Sequence, residues 1–264
     1  RIIVTKYPIP MNEASDEFRK CWIAAGRHLV SQVDTGSLKF FRAHLTPPIL
    51  EHLSFILGNQ IYFVHVHPFD HSASPPSPLS ACIAAAELAN GTPCVLRLKR
   101  QIDDSWTPVD AGWGLRHAES GAIVDPVASI TDEKIEISDW ELQDLCVQVV
   151  RDKISDSGGT ILSWNSHPKV TPNLFFVDEH EKQHFVIVCC ARYPHSPVEP
   201  SNVQDIKDSV SLVTDSGYLA QVCVASAEDP FDPEAKTNGN FLPLYRGHPY
   251  RINYGELETI IDPH

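Results

Sequence analysis

The chain has 264 residues, 42% hydrophobic and 21% charged, an ordinary globular balance. No apolar run approaches the roughly 18 residues needed to span a bilayer, and Arg1 to Pro10 lack the charged head and long apolar core of a signal peptide. The net charge of -13 is uneven: residues 1–134 carry 12 basic and 14 acidic side chains, and residues 135–264 carry 9 and 20. An acidic surface repels a phosphate backbone, so nucleic acid is a poor partner and a basic protein a better one; the same charge also serves solubility.

Residues 13–33 carry Phe18, Cys21, Trp22, Ala25, Leu29 and Val33 at helical spacing, with Gly36 just beyond. Leu38 to Ala43 reads as a strand broken by Pro47-Pro48. Leu53 to Leu57 and Ile61 to His67 read as a hairpin around Gly58-Asn59-Gln60. The Ser- and Pro-rich run 72–78 is a loop. Leu79 to Ala89 follows as a helix, with Ser77 able to cap, Pro78 in the first turn and Asn90-Gly91 at the end. Cys94 to Leu98 is an apolar strand, and two short strands lie between Trp106 and Val124.

The same order returns. Ser138 and Glu141 form a capping-box pattern ahead of a helix that carries Leu142, Leu145, Val149, Val150 and Ile154 on one side and stops at Gly158-Gly159. Thr160 to Trp164 is a strand, then His167-Pro168 breaks it. Leu174 to Val177 and Phe185 to Ala191 form a hairpin, and 193–200 is a second Pro-rich loop. A helix follows, with Ser201 able to cap and Val203, Ile206, Val210 and Val213 inward. Tyr218 to Val224 is an apolar strand, and Leu242 to Tyr254 predicts a last hairpin across Gly247-His248-Pro249. Tyr62 to His67 aligns with His184 to Cys189 at an offset of 122 residues, and Gly91 with Gly217 at 126. The expectation is an α/β fold with mixed sheets, built from two helix-strand-strand-strand-helix-strand units in tandem, 1–134 and 135–264. The units would pack side by side or be exchanged in a homodimer.

That element order resembles the core of the restriction-endonuclease-like (PD-(D/E)xK) nucleases. In that family an Asp opens the second strand and Glu-x-Lys sits on the third; the carboxylates bind Mg²⁺ and the Lys supports the attacking water. Here Thr171-Pro172-Asn173 stands where Pro-Asp would, and the third strand, Phe185 to Arg192, has neither Glu nor Lys. The first half offers Glu51 near the second strand and Val64-His65-Val66-His67 on the third. The resemblance implies two units without the nuclease chemistry.

Three constellations remain. His65 and His67 share a strand face and could share a divalent transition metal, with Asp70 or His71 closing the set. The run resembles the HxHxDH signature of the metallo-β-lactamase fold, with one extra residue between His67 and Asp70. A His pair with local hydrogen bonds is the plainer reading. Cys189 and Cys190 face opposite ways on a strand, with Arg192 on the Cys190 face, and read as small core residues. The aromatic-basic segments containing Trp113 and Arg116, and Tyr245, Arg246, Tyr250 and Arg251, could form a binding surface or cover a sheet edge. The seven cysteines show no CxxC spacing, which fits thiols in a reducing, cytoplasmic setting rather than disulfides or a zinc finger. GxGxxG, GxxxxGK[ST], GxSxG and HExxH are all absent. The expected function is non-catalytic binding or regulation without a cofactor: an adaptor, immunity-type or secretion-associated protein with a protein partner. The alternative is a metal-dependent hydrolase or phosphodiesterase using His65, His67, Asp70 and His71.

Overall fold

The computed structural model describes residues 14–41, 53–69, 73–168, 170–231, 234, 239 and 241–260. Glu51, Asp70, His71, Ala43 and Pro47-Pro48 lie outside them. The described chain falls into two compact α/β units divided between Ile135 and Glu136, each a helix followed by a mixed sheet.

In the first unit, α1 (Asp16–Ser31) starts at Ser15, whose hydroxyl oxygen accepts the Phe18 N–H at 3.2 Å. Asp16 and Glu17 occupy the first turn, where the positive end of the helix dipole favours them. Phe18, Cys21, Trp22, Ala25 and Leu29 form the buried face. β1 (Leu38–Phe41), β2 (Leu53–Leu57) and β3 (Gln60–Pro68) are an antiparallel meander. Leu57 pairs with Gln60, so Gly58-Asn59 is a two-residue turn, and Gly58 supplies the positive φ of 58° that such turns need. α2 (Leu79–Leu88) crosses to β4 (Thr92–Arg100), which runs parallel to β3. β5 (Trp106–Pro108) and β6 (Leu115–His117) pair antiparallel with β4.

The second unit repeats the plan. Ser138 and Glu141 form the predicted reciprocal capping box of α3 (Asp139–Asp156). β7 (Thr160–Trp164), β8 (Leu174–Val177) and β9 (Gln183–Arg192) are again antiparallel, α4 (Val203–Val210) crosses, and β10 (Gly217–Ser226) lies parallel to β9. β11 (Tyr250–Tyr254) and β12 (Glu258–Thr259) pair with β10. The registers Leu53↔Val64 and Leu174↔Val186 make the two hairpins equivalent, with Phe63 the counterpart of Phe185. Each ring lies where a glycine at the start of the crossover strand leaves room: a Cβ on Gly91 would meet the Phe63 ring at 2.8 Å, and one on Gly217 would overlap Phe185.

Three local details differ from the sequence reading. Pro78 stands at the cap of α2, extended at φ -73° and ψ 156°, so no side chain caps that helix. α4 starts after Asn202 and ends at Val210; the chain then turns, with the Thr214 N–H bonding the Val210 carbonyl, and Val213 is 56% exposed. Residues 242–249 do not form the expected hairpin arm with β11; Arg246 lies instead over the start of α3. Its guanidinium donates to both oxygens of Glu141, at 2.6 and 2.9 Å, and Tyr245 makes an isolated bridge to Glu136.

Removing one partner of a buried ion pair leaves an uncompensated charge, at a cost of about 3–5 kcal/mol. Arg246→Met should lower stability in urea unfolding by about that amount, and Glu141→Gln with Arg246→Met should recover much of it. An unchanged midpoint in the single variant would show that the pair contributes nothing.

Candidate functional site

A group of polar side chains from α3, β9 and the turn ahead of β8 converges in the second unit. Asn173, just ahead of β8, is 2% exposed. Its side-chain oxygen accepts the Val188 N–H at 2.8 Å, and its amide nitrogen donates to the carbonyls of Val170 and Asn165 at 3.0 and 3.3 Å. Gln143 on α3 donates to the Val188 carbonyl at 3.3 Å and accepts the Cys190 thiol proton at 2.8 Å. Mg²⁺ demands near-octahedral oxygen ligands, usually carboxylates and water. Here the amide oxygens of Asn173 and Gln143 are turned onto the protein's own donors, so the residues do not fit the metal.

Cys190 lies on β9, on the face that α3 covers. A hydrogen bond from Cys146 holds its thiol below the ordinary range, and the Arg192 charge adds to this against burial. Cys146 is pushed well above it, first by that hydrogen bond and then by burial. Arg192 pairs with Asp139 and donates to the Ile137 carbonyl at 2.7 Å. Beside this group, buried Asp144 accepts from Ser166 and Gln148, each at 2.5 Å. All seven cysteines are described and none forms a disulfide.

In the first unit the positions matching Gln143, Val188 and Cys190 are apolar, and His52, which matches Asn173 by register, lies outside the described residues. Core residues Cys21, Trp22, Ala25 and Leu29 of α1 correspond, 125 positions on, to Cys146, Val147, Val150 and Ile154 of α3. Phe18 thus takes the place of Gln143, and by hairpin register Val66 and Pro68 take those of Val188 and Cys190. The polar groups lie on the opposite sheet face. His65 and His67 share that face as expected, with ring centroids 6.1 Å apart. They line a cleft of about 790 Å³ with Val95, Arg97 and the 75–79 segment. Burial, and next the neighbouring His67, lowers His65 to about 4. Asp70 and His71 are not among the described residues, and among those residues no group of three His, Cys, Asp or Glu is placed to hold a metal ion.

The two aromatic-basic segments are largely built into the fold. Trp113 stacks on Phe55 with centroids 6.0 Å apart, and Arg116 pairs with Asp110 at 2.6 Å. Arg246 is 3% exposed and engaged by Glu141, so it leaves the expected binding surface for the interior. The Tyr250 hydroxyl donates to the Tyr245 carbonyl at 2.6 Å, and both residues are half-buried. Arg251 is exposed and stacks over Phe231.

Residues 140–260 match the family model described as Domain of unknown function (DUF8840). The matched span opens in α3 and closes just after β12, so it takes in Asn173, Gln143, Cys190 and the Glu141–Arg246 pair. No curated protein and no solved structure matches the chain.

The sequence reading missed Gln143, Cys146, Asp144 and Ser166. Gln143 and Asp144 sit beside the apolar stripe of a helix, and nothing in local spacing says which polar residue there turns inward. The thiols should separate by reactivity. Burial pushes Cys94 up to about 12, and burial with the nearby Cys190 charge takes Cys189 to about 11. Iodoacetamide near neutral pH should therefore alkylate Cys190 ahead of Cys94, Cys146 and Cys189, and Arg192→Gln should slow it. Equal rates at these four, read by peptide mass spectrometry, would contradict the assigned environment of Cys190.

Proposed function

We propose that the protein is a non-catalytic binding or regulatory protein made of two diverged restriction-endonuclease-like units. The observation that carries this reading is that Asn173, which stands where the resemblance would have an Asp, and the third strand at Val188 and Cys190 are held by hydrogen bonds to each other and to Gln143 within the protein. The shared element order and the parallel crossover after the third strand add support. The acidic excess of residues 135–264 suits a basic protein partner, with Arg251 and the half-buried Trp113, Tyr245 and Tyr250 as contact residues. Seven cysteines without a disulfide suit a reducing compartment such as the cytoplasm. An adaptor or immunity-type role fits these features. The metal-dependent hydrolase reading rests on His65 and His67 sharing a face, but the neighbouring Arg97 opposes a cation there.

Untagged protein should leave DNA and RNA uncut in Mg²⁺ or Mn²⁺, and in source-cell extract should retain one stoichiometric protein partner that Arg251→Glu releases. Mg²⁺-dependent cleavage that Asn173→Ala abolishes would overturn the proposal.

A further inference from the structure

The cleft of the first unit lies at the carboxyl ends of the parallel strands β3 and β4, where open α/β sheets commonly take ligands. At about 790 Å³ it is in the size range of small-molecule sites. Its floor is polar. His65 is only 5% exposed, lines the cleft and makes no hydrogen bond among the described residues. Its low pKa, about 4, keeps the imidazole neutral near pH 7, with one N–H to donate. Arg97 is the strand partner of His67; its Nε is buried without a hydrogen-bond partner, while Nη2 holds Asp110 at 2.8 Å. Asp110 also holds Arg116, so the three side chains together carry one net positive charge.

The amino end of α2 borders the same cleft through Pro78 and Leu79. Pro78 provides no capping side chain and the first turn holds no acidic residue, so nothing within the helix's own first turn offsets the positive end of its dipole. Pro75, Pro76 and Leu79 make the wall apolar. Among the described residues no carboxylate lines the cleft. A cation would meet the net positive charge left on Arg97, Asp110 and Arg116 together with the helix dipole; an anion is favoured by both.

We propose that this cleft binds an organic phosphate monoester, its phosphate against Arg97, His65 and the amino end of α2, and its apolar body against Pro75, Pro76 and Leu79. Phosphate suits the donors better than a carboxylate because they approach from a strand, a neighbouring strand and a helix end, and three oxygens can meet them. The site stands in the first unit and is independent of the protein-partner reading, so either can fail without the other.

Isothermal titration of the full chain with phenyl phosphate tests it, with inorganic phosphate and Zn²⁺ as comparison probes. Phenyl phosphate should bind one per chain and more tightly than inorganic phosphate. Arg97→Gln should weaken it about tenfold or more, the loss of a hydrogen bond to a charged group. Leu79→Trp, which fills the cleft but leaves the Arg97–Asp110 pair, should abolish binding while thermal unfolding stays cooperative. Arg100→Gln, whose guanidinium pairs with Asp104, should bind as the parent protein does. If Arg97→Gln fails to fold, Leu79→Trp decides the matter. The proposal is overturned by no binding of phenyl phosphate, by unaltered binding in Leu79→Trp, by inorganic phosphate binding as tightly, or by a Zn²⁺ site that His65→Ala removes and phenyl phosphate does not compete for.

Discussion

β3 and β9 are buried on both faces, and each unit is organised around that fact. Phe185, Val186 and Ile187 are consecutive and all 0% exposed, as are Phe63 and Val64 in the first unit. A side chain of this kind contributes about 1.5–3 kcal/mol when fully buried, so neither face can be left to water. Parallel pairing with β4 and β10 supplies the cover, because the chain must cross over and brings α2 or α4 onto one face. α1 and α3 cover the other. Each sheet therefore has two separate ledges, one under the first helix of its unit and one under the crossover helix.

The two units use these ledges in opposite ways. Under α3 the second unit keeps Gln143, Asn173 and Cys190, while under α4 the strand presents Phe185, Ile187 and Cys189. In the first unit the α1 side is apolar through Phe18, Tyr62, Val64 and Val66, and the crossover side holds His65, His67 and Arg97. By register, His65 and His67 occupy the places of Ile187 and Cys189. The copies have thus exchanged which face of the same strand remains polar. In the second unit Gln143, Asn173 and Cys190 bond to one another and to the strand, and in both units a buried arginine Nε, that of Arg97 and that of Arg192, has no hydrogen-bond partner among the described residues.

Much of the fold was legible because it is local. The helical spacing of Phe18, Cys21, Trp22 and Ala25, the Ser138–Glu141 box and the Gly58 turn are decided by neighbours a few residues apart. What was not legible depends on distant contacts. Nothing near Arg246 in sequence announces a partner 105 residues away, and this pairing replaces the expected hairpin arm with a bridge over α3. Val213 continues the apolar period of α4 by one more turn, but the helix stops first. At the site, Asn173 stood out as a Pro-Asp position without its acid, and His65 and His67 as a pair on one face. The convergence of Gln143 and Cys190 on Asn173 needed the register of α3 against β9, and Arg97 joined the His pair only through the parallel pairing of β3 and β4.

The central claim is that Asn173 locks the turn ahead of β8 by donating from its amide to two carbonyls, a role a carboxylate cannot fill. Urea unfolding of Asn173→Asp, with and without Mg²⁺, tests it most directly. The account predicts a loss of about 1–3 kcal/mol, from the donors removed and the negative charge set against the Val170 and Asn165 carbonyls, with no recovery in Mg²⁺. A variant as stable as the parent, or one that Mg²⁺ stabilises, would contradict it.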